Sequence, residues 1–249
     1  MPRRLSFVQR LLHKTSHRLI RSDKLPKGAV APFLRNLGML GFYPERIVDV
    51  GANRGRWTEK ALTVFPESSY TLVEPQLEMK SELDALCAKH RNVRWVQAGL
   101  AAVDGELPFT LTGRTSSTFI MSAAEAQAGG FAQRMVPVMT LERLCREVAG
   151  GPPDLLKIDA EGFEFEILKA AGPLLGEIEL VLLELPFFHF SARPGALLFR
   201  DALVEMARHG YEVYDFTAFQ KRRYDGALGQ SEVAFARRDG VLRRHKDWA

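Results

Sequence analysis

The sequence predicts an α/β protein built on a doubly wound, mostly parallel, seven-stranded sheet. Short apolar runs alternate with stretches of helical periodicity along most of the chain, the pattern of parallel strands joined by helical crossovers. The stretch Ile47-Val48-Asp49-Val50-Gly51-Ala52-Asn53-Arg54-Gly55 reads as a strand that breaks into a glycine turn, and Arg56 onward reads as the helix after it. Four apolar runs end in a carboxylate: Asp49, Glu74, Asp159 and Glu184. Ligands of open α/β sheets bind beyond those carboxyl ends, at the point where strand order reverses.

In chain order, residues 1–27 read as a basic amphipathic extension and 28–249 as the domain, with its motifs between 46 and 185. Leu5, Val8, Leu12 and Leu19 fall near one helical face of residues 1–24, among arginines and lysines. That stretch suits packing on the domain or docking on an anionic membrane surface. A secretory signal fits poorly, because Arg10, His13 and Lys14 interrupt the apolar segment. Residues 1–27 hold eight basic residues and one acid, +7, which leaves −3 for the rest of a chain of net charge +4. The basic balance is terminal and does not argue for nucleic-acid binding by the domain.

A short helix is expected at 33–37, ended by Gly38 and Gly41, with plain packing as its role. Strands are expected at 46–50, 70–74, 93–97, 154–159, 178–185, 211–216 and 232–236. Helices are expected at 56–65, 77–89, 141–148, 161–171 and 196–209, with Pro66 and Gly210 as stops. Residues 100–138 break the rhythm. Strands at 107–111 and 135–139 flank polar residues 112–118 and a small-residue stretch 123–132, so a binding loop or lid with little regular structure is expected.

The 249 residues are 46% hydrophobic and 26% charged, which fits one soluble domain with a sizeable core. No apolar run approaches the roughly 18–20 residues that span a bilayer. Cys87 and Cys145 sit in amphipathic helices and read as reduced, partly buried thiols, with neither a disulfide framework nor a metal site. The expected setting is the cytoplasm, with peripheral docking at the inner membrane surface through residues 1–24.

The turn has the spacing G-x-x-x-G, not the G-x-G-x-x-G that cradles a dinucleotide pyrophosphate. Glu74 stands 19 residues after Gly55, where a carboxylate can accept both ribose hydroxyls of an adenosine ligand. NAD and S-adenosylmethionine both need such a group. In Lys157-Ile158-Asp159-Ala160-Glu161-Gly162, strand alternation puts Lys157 and Asp159 on one side. Asp159 can orient or deprotonate a substrate hydroxyl, and Lys157 can pair with it. Glu161 reads either as part of the site or as an acid favoured by a helix dipole. Asp49 is a candidate for a ligand ammonium, directly or through water.

The segments Val48-Asp49-Val50-Gly51-Ala52-Asn53-Arg54-Gly55, Glu74-Pro75, Val138-Met139-Thr140-Leu141-Glu142-Arg143-Leu144 and Leu155-Leu156-Lys157-Ile158-Asp159-Ala160-Glu161-Gly162-Phe163-Glu164 together resemble the successive motifs of FkbM-type methyltransferases. The resemblance spans about residues 46–185. It implies a Rossmann-like class I fold, S-adenosyl-L-methionine as cofactor, and O-methylation of a sugar, glycan or natural-product hydroxyl. It places the cofactor motif on Asp49, Gly51, Asn53, Gly55 and Glu74, to which Pro75, Ala98 and Gly99 add the neighbouring strand ends. The acidic motif falls on Asp159 and Glu161. Ser116-Ser117 resembles a Ser-rich stretch that faces cofactor or substrate. His189, after the strand ending at Glu184, is a candidate base, although a lone His among aromatics is more often a loop contact.

Alternatives stay open at this point: an NAD-dependent oxidoreductase, a non-catalytic cofactor-binding module, and a metal-assisted enzyme in which Asp159, Glu161 and Glu184 converge on magnesium or calcium. No His or Cys spacing supports the last, and no metal site is expected.

Overall fold

The computed structural model describes residues 29–113, 117–190, 196–222, 225–245 and 247. The basic extension, Ser116 and residues 191–195 of the loop after Glu184 lie outside them.

A seven-stranded sheet carries the fold. It contains β1 (Arg46–Val50), β2 (Ser69–Val73), β3 (Val93–Val96), β8 (Leu155–Ile158), β9 (Leu180–Pro186), β10 (Tyr211–Lys221) and β11 (Leu228–Arg237), in the order β10-β11-β9-β8-β1-β2-β3. Pairing is parallel from β3 to β9, and β11 runs antiparallel to both its neighbours. From β1 the chain steps outward to β2 and β3, then crosses to β8 on β1's other side. The reversal between β1 and β8 leaves a crevice at their carboxyl ends.

Each face buries its own apolar cluster. On one face lie α1 (Val30–Met39), α2 (Arg56–Leu62) and α3 (Lys80–Lys89), with Phe33, Leu34, Leu37, Ala61, Leu83 and Leu86 against Ile47, Leu72 and Leu182. On the other lie α5 (Leu141–Leu144, continued as a π-helical turn to Ala149), α6 (Glu164–Leu175) and α7 (Phe199–Arg208), with Leu141, Leu168 and Ala202 against Val48, Leu156 and Leu183. The strands are buried on both faces, as their continuous apolar runs require. Thr140 caps α5, its hydroxyl accepting the Arg143 N–H at 3.1 Å.

Several element bounds shift from those expected, among them the helix expected at 56–65, which ends at Leu62, and the strand expected at 211–216, which runs to Lys221. Gly38 does not end α1, which runs on to Met39; a Cβ there would only touch Phe65 and Tyr43, so the helix passes through. The helix expected from 161 starts at Glu164, because Glu161 and Gly162 hold left-handed backbone angles incompatible with a helical turn. The insertion at 100–138 is no unstructured lid. It forms a second, four-stranded sheet, β4 (Gly99–Leu100), β7 (Ala132–Met139), β5 (Gly105–Leu111) and β6 (Ser117–Thr118), in that order, with α4 (Ala123–Ala128) between β6 and β7. The Arg134 guanidinium grips Glu78 with two bonds of 2.7 and 2.8 Å and fastens this sheet to the turn after β2. Gly99 is thus the first residue of the second sheet, and Ala98 lies in the link between β3 and β4.

Candidate functional site

The site begins with a buried ion pair. Asp49 and Lys157 are opposite each other in the β1–β8 register, and Lys157 Nζ lies 3.1 Å from Asp49 Oδ1 with both side chains inaccessible. Thr58 donates its hydroxyl to Asp49 Oδ2 at 2.7 Å. Lys157 also donates to the Gly51 carbonyl at 3.3 Å and faces Asp159 Oδ2 at 3.5 Å. Burial opposes the lysine's charge, but the carboxylates of Asp49, Asp159 and Glu232 outweigh it and hold the ammonium above the ordinary lysine range. Asp49 is fully buried, with the Thr58 hydroxyl on Oδ2 and the Lys157 ammonium 3.1 Å from Oδ1; it braces the turn and does not line the cleft.

The turn then passes under the crevice. Gly51 has φ +71°, and a Cβ there would lie 1.8 Å from the Asp159 carbonyl oxygen. A close approach that demands glycine is therefore the one between the ends of β1 and β8. Gly55 also has φ +74°, but its Cβ would meet Leu86 of α3 at 2.6 Å, so it serves helix packing and does not line the crevice.

Beyond the turn lies a small cleft, partly open to solvent. Eight expected site residues line it: Gly51, Asn53, Glu74, Pro75, Ala98, Gly99, Asp159 and Glu161. Glu74 accepts the N–H of Asn53 at 2.7 Å on one oxygen and that of Gln76 at 2.9 Å on the other. Burial pushes its carboxyl above the usual range, and those two N–H groups together with Lys157 pull it back. Asn53 and Glu161 are the non-glycine residues with positive φ among those described, at 50° and 52°, and both line this cleft. Strained backbone of this kind persists only where its surroundings over-determine it.

The far wall comes from the second sheet. The Phe119 ring packs at a tilt against Phe109 and Phe163 at centroid distances of 4.7 and 5.2 Å and lies so close to Gly99 that a Cβ would sit 2.5 Å from it. Ser117 donates to the Gln76 side-chain oxygen at 2.9 Å, and Thr118 to the Glu161 carbonyl at 2.9 Å. Gln76, Phe109 and Phe119 were not legible as site residues; the only hint was the Ser-rich stretch, of which Ser117 lines the cleft.

His189 is exposed on the loop after β9 and is not among the residues that line the cleft; the flanking Phe188 and Phe190 rings pack on each other at 4.6 Å. Lys157 acts from beneath the cleft. Glu184 accepts from the Gln220 side chain at 2.7 Å, and among the described residues no three His, Cys, Asp or Glu side chains are grouped to hold a metal ion. Among the same residues no helix is long and apolar enough to cross a membrane.

The cleft fits an adenosine-bearing sulfonium cofactor: a buried carboxylate for the ribose at Glu74, a glycine turn without a phosphate cradle, an aromatic wall, and acids at the strand ends. A Methyltransferase FkbM domain model matches residues 49–213. No curated protein matches the chain. Among solved structures, the FkbM methyltransferase of Methylobacillus flagellatus KT superposes with a TM-score of 0.52 at 15% identity, over 83% of this chain and 48% of that one. The chain thus spans about half the length of that structure. A putative RNA methyltransferase of Pyrococcus horikoshii aligns over 92% of this chain and 96% of its own at 12% identity and a TM-score of 0.46. The 1,6-didemethyltoxoflavin-N1-methyltransferase of Burkholderia thailandensis aligns over 95% and 93% at 13% identity and a TM-score of 0.45. With two thirds of its length under the family model and the Rossmann-like sheet in place, the chain belongs to the FkbM methyltransferase domain family, whose methyl donor is S-adenosyl-L-methionine.

Proposed function

We propose that the protein methylates a hydroxyl oxygen of a sugar, glycan or natural-product acceptor. The observation that carries this reading is the position of Asp159, 31% exposed in the same cleft as Glu74 and backed by the Lys157 ammonium. Bound S-adenosylmethionine supplies an electrophilic methyl group on a sulfonium. In this reading Glu74 takes the ribose hydroxyls, and the backbone of Gly51 and Asn53 borders the remainder. Asp159 orients the acceptor hydroxyl and removes its proton as the oxygen attacks. Glu161 borders the same space. The carboxylates accept hydrogen bonds from hydroxyl donors, which favours a polyol acceptor over an apolar one. The nicotinamide reading gains nothing from the family match.

The test is transfer of labelled methyl to a panel of sugars and glycans, with mass spectrometry of the product. A methyl ether is expected. Asp159→Asn is expected to lower kcat by roughly 10²–10⁴-fold with S-adenosylhomocysteine affinity retained. A methyl group found on nitrogen or carbon, or full activity in Asp159→Asn, would overturn the reading.

A further inference from the structure

The cleft wall formed by Asp159, Ala160 and Glu161 is a turn with an unusual shape. Its last residue, Glu161, is left-handed at φ 52°, and Gly162 follows at φ 104°. At its first residue the turn is fixed by β-sheet pairing, the Asp159 N–H donating to the Val50 carbonyl at 3.0 Å. On the outer side Thr118 donates to the Glu161 carbonyl. On the inner side two backbone donors, the N–H groups of Ala160 and Gly162, flank the strained residue and point away from solvent. Both end on one atom: Glu164 Oε1 accepts the first at 2.9 Å and the second at 3.2 Å. Glu164 is 2% exposed and contributes nothing to the cleft lining.

We infer that Glu164 is a positioning residue, whose single oxygen Oε1 clamps the Asp159–Ala160–Glu161 turn in the shape that receives the cofactor and aims Asp159. This rests on the reading of the cleft as the cofactor site. Without the clamp, two buried N–H groups lose their acceptor, and the left-handed conformation of Glu161 loses the constraint that maintains it. The turn then relaxes, and the cleft wall moves with it.

A rival role exists. Glu164 opens α6, where an acid is favoured by the partial positive charge of a helix N-terminus. The two roles make opposite demands. A dipole partner needs negative charge and tolerates a shorter side chain. A clamp needs an acceptor oxygen at the end of a two-methylene reach and does not need charge. Burial already pushes the Glu164 carboxyl above its ordinary range, and nearby Asp159 adds to that, against the pull of the backbone N–H groups around it. A neutral amide is accordingly a fair substitute at this position.

The experiment is calorimetric titration of the full chain with S-adenosylhomocysteine, on wild type, Glu164→Gln, Glu164→Asp and Glu164→Ala. Leu175→Ala, a buried change at the far end of α6, serves as a control for stability alone. Each protein is assayed at a temperature where circular dichroism shows it folded. Affinity in Glu164→Gln is expected within about threefold of wild type, whereas Glu164→Asp and Glu164→Ala lose on the order of ten- to a hundredfold, the range set by misplacing a binding wall. Leu175→Ala is expected to lower the melting temperature without changing affinity. Should Glu164→Ala fail to fold, the contrast between Gln and Asp decides alone. Wild-type affinity in Glu164→Asp with loss in Glu164→Gln would assign the dipole role and overturn the clamp, as would affinity losses that merely track stability across all variants. No binding by wild type would overturn the cofactor reading and the inference with it.

Discussion

Replacing Lys157 by methionine removes the buried ammonium beside Asp49 while nearly preserving volume, and its effect follows from the geometry. Lys157 Nζ is 3.1 Å from Asp49 Oδ1, a separation at which two unit charges attract by about 5 kcal/mol at an effective dielectric of 20. Most of that gross attraction offsets the desolvation of both groups in the native protein. The substitution does not return Asp49 to water, because Asp49 stays fully buried with Thr58 as its remaining donor. Breaking a buried pair from one side is destabilising by roughly 3–5 kcal/mol. In a domain of this length, that lowers the melting temperature by about 6–20 °C. Burial lowers the lysine's affinity for its proton, but the three neighbouring carboxylates raise it further, so the folded pKa lies above the ordinary 10.5. The stabilisation is therefore fully present below 10.5 and is lost only as pH rises through the folded value. The difference between wild type and Lys157→Met is expected to be flat from pH 6 to 9. Adding Asp49→Asn to Lys157→Met removes the stranded charge and keeps an acceptor for Thr58, so the double variant is expected to recover more than half of the loss. Chemical denaturation of the four proteins of this cycle measures it. A loss below about 1 kcal/mol in Lys157→Met, or a double variant no more stable than the single one, would refute the buried-pair reasoning.

Gly51→Ala places a Cβ 1.8 Å from the Asp159 carbonyl and forces a side chain onto φ +71°. The pair of effects is expected to destabilise by at least about 2–4 kcal/mol and to abolish S-adenosylhomocysteine binding, and a melting temperature within 2 °C of wild type would contradict it. Glu232, buried beside Thr217, has its carboxyl pushed above the ordinary 4.5 by burial, with Thr217 and Lys157 pulling it back. The native protein therefore holds its proton to higher pH than the unfolded chain does, and stability falls as pH rises from 4.5 through the folded value. Glu232→Gln is expected to gain in melting temperature over wild type progressively across that window, and a constant difference would count against it. Deleting residues 1–24 is expected to reduce binding to anionic vesicles and to leave cofactor affinity unchanged; equal vesicle binding would remove the membrane role proposed for them.

The parallel part of the main sheet was legible because its strands are apolar runs, whereas β10 and β11, more polar at their far ends, were expected too short at 211–216 and 232–236. Asp49 before Gly51, Glu74 before Pro75 and Asp159 before Gly162 all mark carboxyl ends, and local chain chemistry is enough to find them. Side-chain direction was legible within a strand, where Lys157 and Asp159 share one side and lie 3.5 Å apart, but not between strands. Asp49 looks like a ligand-facing acid until Lys157, on a strand far along the chain, is brought opposite it. Gly51 reads as room for a ligand, and only the fold shows that the Asp159 carbonyl also demands glycine there. The second sheet was only half visible, because β4 and β6 are two residues each and exist only through pairing with β7 and β5. With them the aromatic wall at Phe119 stayed hidden. Glu164 stood inside a quoted motif, but an acid at a helix start carries an ordinary local explanation, and nothing in sequence shows two backbone donors converging on it.

The most direct measurement is calorimetric titration of wild type and Glu74→Ala with S-adenosylhomocysteine and, separately, with NADH. Wild type is expected to bind S-adenosylhomocysteine at one site per chain and not to bind NADH. Glu74→Ala is expected to lose roughly ten- to a hundredfold in affinity, the worth of hydrogen bonds to a charged acceptor. Wild type that binds NADH instead, or S-adenosylhomocysteine affinity untouched by Glu74→Ala, would contradict the placement of the cofactor in this cleft.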